Sequence, residues 1–520
     1  MTRSTADPAH ASLKPAGGGL SANEARAREL LNRDWRLLVG GELRCAQSGA
    51  AFPVTSPYTE ERIALVPDGG QADADAAVAC AKEAFTAWSA RTAADRADLV
   101  LRLADAVERR AGDLALLDAV DGGAPIAVMA DDVAFAVQTL RYFAGLALEL
   151  KGTTTPASEN LHFTERQPYG VVAKIIPFNH PALFAISKVA APLVAGNSVV
   201  LKPAEATPLS ALLFGEICRG VLPAGLVNVV VGDGPLVPDA LVRHRDVHRI
   251  GFTGSEATGR AIQRAAAEVA VKQVTLELGG KNALIAFPDA DPEEVAEGAV
   301  RGMNFTWSGQ SCGSTSRLLV HSAIADDVLR RIAELLADRV YESPLSPTAV
   351  QGTIVNRSQY RRILDFIEAA VAEGAEIAAG GGPPGGDVPG LFIEPTVLDQ
   401  VRRDHRVANE EVFGPVLSVI RWTDEQEAIE IANGVRYGLT GSVYTNDIRR
   451  AHRVTRALET GYVWINGSGR HFMGVPFGGW KNSGTGHEEA LEELLSYSRL
   501  KSVNVMLHAT GTDTERAKNS

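Results

Sequence analysis

The chain is 520 residues long and 45% hydrophobic, with 50 Gly and 26 Pro, which excludes a fibre or a disordered chain and points to a loop-rich globular protein with more than one core. A formal net charge of −12 argues against nucleic acid as a main partner, because phosphate binding needs clustered Lys and Arg. No apolar run approaches the ~18–20 residues that span a bilayer, and the N-terminus has no hydrophobic signal core, so a cytoplasmic protein without a membrane partner is expected.

Residues 1–27, rich in Ala, Gly, Ser and Pro, read as a flexible N-terminal tail. Trp35–Gly41 reads as a strand and a turn. Asp73–Leu117 carries apolar residues at three- and four-residue steps and predicts a long helix pair. A further helix is expected over Ala130–Leu150, then a buried strand over Tyr169–Pro177. From there strand and helix alternate. Val199–Lys202 is a strand, and Thr207-Pro208 opens a helix with Thr as N-cap and Pro in the first turn. Strands at Leu226–Val231 and Arg249–Thr253 follow, the second leading through Gly254-Ser255 into a helix ending near Val269. After Glu277 a second series begins. Its strands are Ala283–Phe287, Arg317–His321, Val416–Arg421 and Ser442–Thr445, and its helices are Pro292–Thr306, Ala325–Arg339 and Arg357–Glu373. Such alternation predicts an α/β fold of two doubly wound parallel-sheet lobes. Tyr497–Leu507 alternates apolar and polar residues like an edge strand, and residues 509–520 read as a polar tail.

Two strings carry the chemistry. V-T-L-E-L-G-G-K-N (Val274–Asn282) places Glu277 where an extended run breaks into glycines. N-F-T-W-S-G-Q-S-C-G (Asn304–Gly313) places Cys312 in a loop of small residues. A thiol that attacks and a carboxylate that activates water suit covalent catalysis. The remaining cysteines, Cys45, Cys80 and Cys218, show no CxxC pairing with one another or with Cys312, so a disulfide framework is not expected and a reducing compartment fits. His244 and His248 share an H-x3-H spacing but lie in an Arg-rich loop without an acidic ligand pattern, so a solvated face rather than a metal site is expected. The phosphate fingerprint G-x-G-x-x-G is absent. In its place F-T-G-S-E-A-T-G (Phe252–Gly259) sits between strand and helix, where Gly254 and Ser255 could meet a pyrophosphate.

The two strings, in this order and spacing, resemble the glutamate and cysteine signatures of the aldehyde dehydrogenase superfamily. The resemblance extends over roughly residues 35–507, through Leu201-Lys202-Pro203-Ala204-Glu205, Glu410–Pro415, Leu391–Thr396, Tyr437-Gly438-Leu439 and Val475–Lys481. It implies an aldehyde dehydrogenase-like fold with an NAD-binding domain (28–150 and 167–277), a catalytic domain (278–482) and a small β oligomerisation segment (151–166 and 483–508). That segment would make a homodimer or homotetramer. It implies NAD-dependent oxidation of an aldehyde to the acid through a thioester on Cys312, with Glu277 activating water. Asn179, in Ile176-Pro177-Phe178-Asn179-His180-Pro181, would share the oxyanion with the Cys312 amide, a donor of a kind typically worth about 100- to 1,000-fold in rate. Phe178 stands where the family usually has Trp. Lys188 and Glu488 would form a proton path, or a buried ion pair, and His487 replaces the usual Arg beside it.

For the cofactor, the resemblance points to Ile176, Pro177 and Phe178 along the cleft, and to Lys202 and Glu205 on the adenosine ribose. Glu411 would hold the nicotinamide ribose and Phe413 would pack near the ring. A carboxylate beside a 2′-hydroxyl favours NAD, with NADP possible. The aldehyde tunnel would be lined by Phe184, Ser187, Thr306, Trp307, Arg470, Phe472 and Phe477. Ser187 and Thr306 stand where relatives carry aromatics, which implies a roomier tunnel. An apolar or aromatic aldehyde is the first expectation. An acid-semialdehyde that meets Arg470 is the second. Two other readings are a noncatalytic NAD-binding relative and a coenzyme A-acylating enzyme. The intact Cys312, Glu277 and Asn179 set speaks against the first, and Glu277 against the second.

Overall fold

The computed structural model describes residues 19–337 and 339–507. Its first sheet is built around Val171–Ile175, a strand buried at every position, with the Lys174 ammonium over the Tyr497 ring, as expected in a parallel sheet covered on both faces. The order across the sheet is Glu42–Arg44, Leu37–Val39, Val227–Val229, Ser198–Lys202, Val171–Ile175, Val247–Thr253, Gln273–Glu277 and Gly484–Thr485. The five strands from Val227–Val229 to Gln273–Glu277 run parallel. The chain moves outward from Val171–Ile175 on one side and then returns to fill the other. The order therefore reverses at that strand, and the crevice beyond its carboxyl end is where open α/β sheets bind ligands. The loops Ile176–His180 and Gly254-Ser255 both leave from this crevice.

A second sheet has the order Glu376–Ala379, Thr396–Asp399, Val416–Trp422, Arg317–His321, Ala283–Ala286, Thr440–Tyr444 and Tyr462–Ile465, all parallel except the first. A separate apolar core packs on each of its faces. Arg317 is buried and staples the sheet to its surroundings, donating to the carbonyls of Lys281 (2.8 Å), Ile431 (2.7 Å) and Ala432 (2.8 Å). These bonds fix the turn that follows Glu277. Leu161–Pro168 and Ser498–Val505 form an antiparallel pair apart from both sheets. Much of its surface, including Leu161, Leu500 and Val505, is exposed.

Several expectations change. The tail expected over residues 1–27 ends earlier: Leu20–Leu31 is a helix with Asn23, Ala27 and Leu30 buried, its apolar spacing hidden by the Arg and Glu between. Residues 1–18 and 509–520 lie outside the described residues. The helix pair over Asp73–Leu117 is three helices, Gln71–Ser89, Ala93–Glu108 and Ala111–Asp121. Thr207 does not cap the following helix. Its hydroxyl donates to the Phe178 carbonyl (3.2 Å), and the Leu209 amide is met by Asp121 instead (3.2 Å). The helix expected over Pro292–Thr306 stops at Gly302, and Asn304, at φ 55°, turns the chain into a short 3₁₀ segment, Phe305–Trp307. His248 lies within the strand Val247–Thr253 rather than in a loop. The segment expected to be one bridging piece over 483–508 is divided: Gly484–Thr485 joins the first sheet, and only Ser498–Val505 pairs with Leu161–Pro168.

Candidate active site

The strand Gln273–Glu277 ends inside the protein, and Glu277 is 3% exposed with neither carboxylate oxygen hydrogen-bonded among the described residues. Burial, reinforced by the nearby Glu488 charge, pushes its pKa well above the ordinary carboxylate range. The next residues have no room for side chains. A Cβ on Gly279 would overlap Glu411 Oε2, and one on Gly280 would press on Asn282 and the Cys312 carbonyl. The Gly280 amide donates to Glu411 Oε1 (2.8 Å), and burial raises Glu411 to about 7. The small residues of L-G-G-K thus let a second carboxylate close on the turn that carries the first.

Cys312 sits on the facing loop. Asn282 Nδ2 donates to the Cys312 carbonyl (2.7 Å) and the Ser314 carbonyl (2.9 Å), while Asn282 Oδ1 accepts from the Thr440 amide (3.0 Å). Gln310 ties the other end, accepting from the Val355 amide (3.0 Å) and donating to the Thr353 carbonyl (3.1 Å). The loop is therefore held at both ends before any ligand arrives. Burial, with the Glu411 and Glu277 charges, pushes the Cys312 thiol up to about 12. Its side chain packs against the cluster of Leu439, Tyr462, Trp464 and Phe477.

Asn179 leaves the central strand of the first sheet in a braced loop. The Ile176 amide donates to the Lys202 carbonyl (3.0 Å), and just past Asn179 the Ala182 amide donates to Asp118 (2.9 Å). Asn179, Glu277 and Cys312 all line one cleft, together with Pro177, Phe178, Phe184, Gly254, Ser255, Glu411 and Phe413. Phe178 meets Phe413 edge-on at 5.7 Å, and Ser255 caps its helix by accepting from the Thr258 amide (3.3 Å). A thiol, a carboxyl without a hydrogen-bond partner among the described residues and an amide thus face a common space at the topological switch point.

Other expected residues sit around this cleft. Ile176 is buried behind it. Lys202, the last residue of the neighbouring strand, is bonded to Glu205 just past its end (3.2 Å). Lys188 donates to Glu488 in a buried pair. Burial opposes both charges, but the mutual attraction prevails, raising Lys188 and lowering Glu488. Ser187 is buried in the helix Pro181–Val194. Thr306 lies in the 3₁₀ segment, its carbonyl accepting from the Gly352 amide (2.9 Å), and Trp307 borders a small neighbouring cavity with Asn179. Phe477 belongs to the aromatic cluster at Cys312. Arg470 and Phe472 are both exposed on their loop, with the guanidinium 5.9 Å from the ring.

Sequence reasoning missed Asn282, Gln310, Gln359 and Arg362. The first two lie inside the motifs that drew attention to Glu277 and Cys312, so their positions were in view. Gln359 and Arg362 line the cleft from a distant helix, and Arg362 donates to the Glu411 and Val412 carbonyls (2.6 Å each). No local pattern marks them.

A sequence profile described as the Aldehyde dehydrogenase family matches residues 44–503. The chain belongs to the aldehyde dehydrogenase family. This aldehyde dehydrogenase is an oxidoreductase, 42% identical over 87% of its length to 89% of aldehyde dehydrogenase tropH of Talaromyces stipitatus. It is 40% identical over 91% of its length to 92% of human retinal dehydrogenase 2. Its fold superposes at a TM-score of 0.90 on an NAD+ complex of aldehyde dehydrogenase from Bacillus cereus, at 38% identity, covering 93% of this chain and 99% of that one. A P. syringae indole-3-acetaldehyde dehydrogenase with NAD+ and IAA matches at 0.91 and 36% identity, covering 94% of this chain and 100% of that one.

Proposed function

We propose that this aldehyde dehydrogenase oxidises an apolar or aromatic aldehyde to the carboxylic acid with NAD, using Cys312 as nucleophile, Asn179 as oxyanion donor and Glu277 as base. The observation that carries the reading is the shared cleft of these three side chains, with no hydrogen-bond partner among the described residues for the Glu277 carboxylate. The cleft also suits a dinucleotide. A capped helix N-terminus opens at Ser255 where an anion is favoured, and Glu411 is held by the Gly280 amide where a ribose hydroxyl can reach it. Lys202 and Glu205 would take the second ribose, and Glu205 beside a 2′-hydroxyl favours NAD over NADP.

NAD bound there supplies the acceptor for the hydride that leaves the aldehyde carbon. The Cys312 sulfur forms the bond to that carbon, and its proton leaves to a base. Asn179 Nδ2 and the Cys312 amide hold the oxygen as its charge develops. What remains on Cys312 after oxidation is a thioester. Glu277 takes a proton from water as the water attacks, the carbon–sulfur bond breaks and the acid departs. Burial disfavours a charged Glu277, so a proton that it takes must be passed on before it can act again. The buried Lys188–Glu488 pair is the neighbouring charge system through which that proton can leave.

The substrate class follows from what Cys312 touches. Tyr462, Trp464 and Phe477 supply apolar aromatic surface beside the nucleophile, with Phe184 on the cleft wall. The P. syringae relative's name, indole-3-acetaldehyde dehydrogenase, points the same way. Purified protein, NAD and a panel of aliphatic, aromatic and carboxylated aldehydes test the reading, with and without coenzyme A. Free acid should form at the same rate in both arms. A product that forms only as the coenzyme A ester would overturn the hydrolytic assignment.

A further inference from the structure

The loop that carries Arg470 and Phe472 also carries a device with no place in the mechanism above. His471 Nδ1 lies 3.0 and 3.1 Å from the two carboxylate oxygens of Glu489. Its ring stacks near-parallel on Tyr462 (5.9 Å, 19°) and packs on Phe477 at 4.6 Å. Both rings belong to the cluster that touches Cys312. With Nδ1 committed to Glu489, the free end of the ring is Nε2, and it faces the nucleophile's loop. A Cβ built on Gly313, the residue after Cys312, would stand 4.0 Å from Nε2. Glycine at that position leaves the space between them open.

Glu489 is itself fixed in place. Its φ of 66° lies in the left-handed region, which a non-glycine residue adopts only where its surroundings hold it there. Its amide donates to Glu493 Oε2 (2.9 Å), and its carbonyl accepts from the Gly474 amide (2.9 Å). One strained residue therefore anchors both the far end of the loop and the imidazole. Burial works against a charged His471, but the Glu489 carboxylate outweighs it and raises the ring above its ordinary range.

We propose that His471, held by Glu489, is a specificity-determining residue whose Nε2 forms a hydrogen bond with an oxygen carried beside the aldehyde carbonyl. The inference rests on the aldehyde-oxidising reading and deepens it. The aromatic walls take the hydrocarbon body, and His471 selects, among such aldehydes, those bearing a hydroxyl or other acceptor oxygen beside the reacting group. A site built to bond a substrate oxygen discriminates against the analogue that lacks it, because the polar group is left without a partner when the plain analogue binds.

The test compares kcat/KM, by quantified acid product, for two matched pairs: 2-hydroxybenzaldehyde against benzaldehyde, and 2-hydroxypropanal against propanal. It uses wild type, His471→Phe, which keeps an aromatic ring in the stack, and His471→Gln, which keeps an N–H donor at similar reach. NAD binding by fluorescence checks that each variant is folded. The wild type should favour the hydroxylated member, His471→Phe should lower that ratio about tenfold or more, and His471→Gln should restore part of it. A ratio that is unchanged in folded His471→Phe, or equal losses on both members of a pair, would overturn the proposal. Oxidation of the aliphatic pair alone, with a His471-dependent ratio, would support His471 while removing the aromatic reading. Oxidation of benzaldehyde with a ratio indifferent to His471 would do the reverse.

Discussion

At the scale of single residues, burial disfavours the charged form of both the thiol and the base. Burial pushes Cys312 to about 12, so near neutral pH the thiol predominates, and the thiolate fraction grows as pH rises toward that value. Alkylation of Cys312 by iodoacetamide, in protein free of NAD, should therefore accelerate continuously from pH ~7 to pH ~10. A plateau reached near neutrality would mean that the thiol is already ionised at rest. Glu277 is raised in the same way, so it gains base character as pH rises. Glu277→Gln should keep the first-turnover burst of NADH and slow steady turnover by about 100-fold or more. It should also flatten the rise of kcat with pH, and loss of the burst itself would place Glu277 in thiol activation instead. Glu205→Ala should narrow the preference for NAD over NADP, measured as the ratio of kcat/KM values. An unchanged ratio would remove Glu205 from the ribose.

These residues were legible in the sequence because each lies in a short contiguous string whose small neighbours have a steric purpose. His471 and Glu489 were not legible as a pair. Each is unremarkable alone, and only the fold brings the ring onto the carboxylate.

At the scale of elements, the site depends on how closely two turns approach. The glycines after the strand Gln273–Glu277 let Glu411 and the Cys312 loop reach it. Gly279→Ala would drive Glu411 off the turn, and overpacking of this kind costs about 1–3 kcal/mol. The KM for NAD should rise by roughly tenfold or more, corresponding to that range, and an unaltered KM would show that Glu411 is not a cofactor contact. Strand and helix alternation was readable from apolar periodicity, but helix ends were not. The Thr207 hydroxyl is spent on the Phe178 carbonyl, and the following helix is met at Leu209 by Asp121, which lies 88 residues earlier. A cap supplied from so far along the chain leaves no local signal. The same holds for the end of the helix at Gly302, where the left-handed Asn304 starts the turn toward Cys312.

At the scale of the molecule, two parallel sheets carry the site between them. One supplies Asn179 and Glu277 from the ends of its strands, and Cys312 comes from the loop that leads into Arg317–His321 of the other. Neither sheet alone holds all three groups. The paired strands Leu161–Pro168 and Ser498–Val505 stand outside both and present Leu161, Leu500 and Val505 to solvent. An exposed apolar strand edge is an association surface, and we propose that this pair joins subunits into a dimer or tetramer. Leu500→Glu should shift the mass measured by light scattering toward the monomer, whereas an unchanged oligomer would place the interface elsewhere. The bridging role was expected from resemblance, but its extent was not readable. Residues 484–485 return to the first sheet, a pairing that depends on contacts with a strand some 200 residues earlier.

The most direct measurement is NADH formation by purified protein with NAD and a panel of aromatic and aliphatic aldehydes, beside Cys312→Ala. The account predicts turnover in the wild type, and in the variant loss of turnover with NAD binding retained. Turnover near the wild-type rate in Cys312→Ala would contradict it.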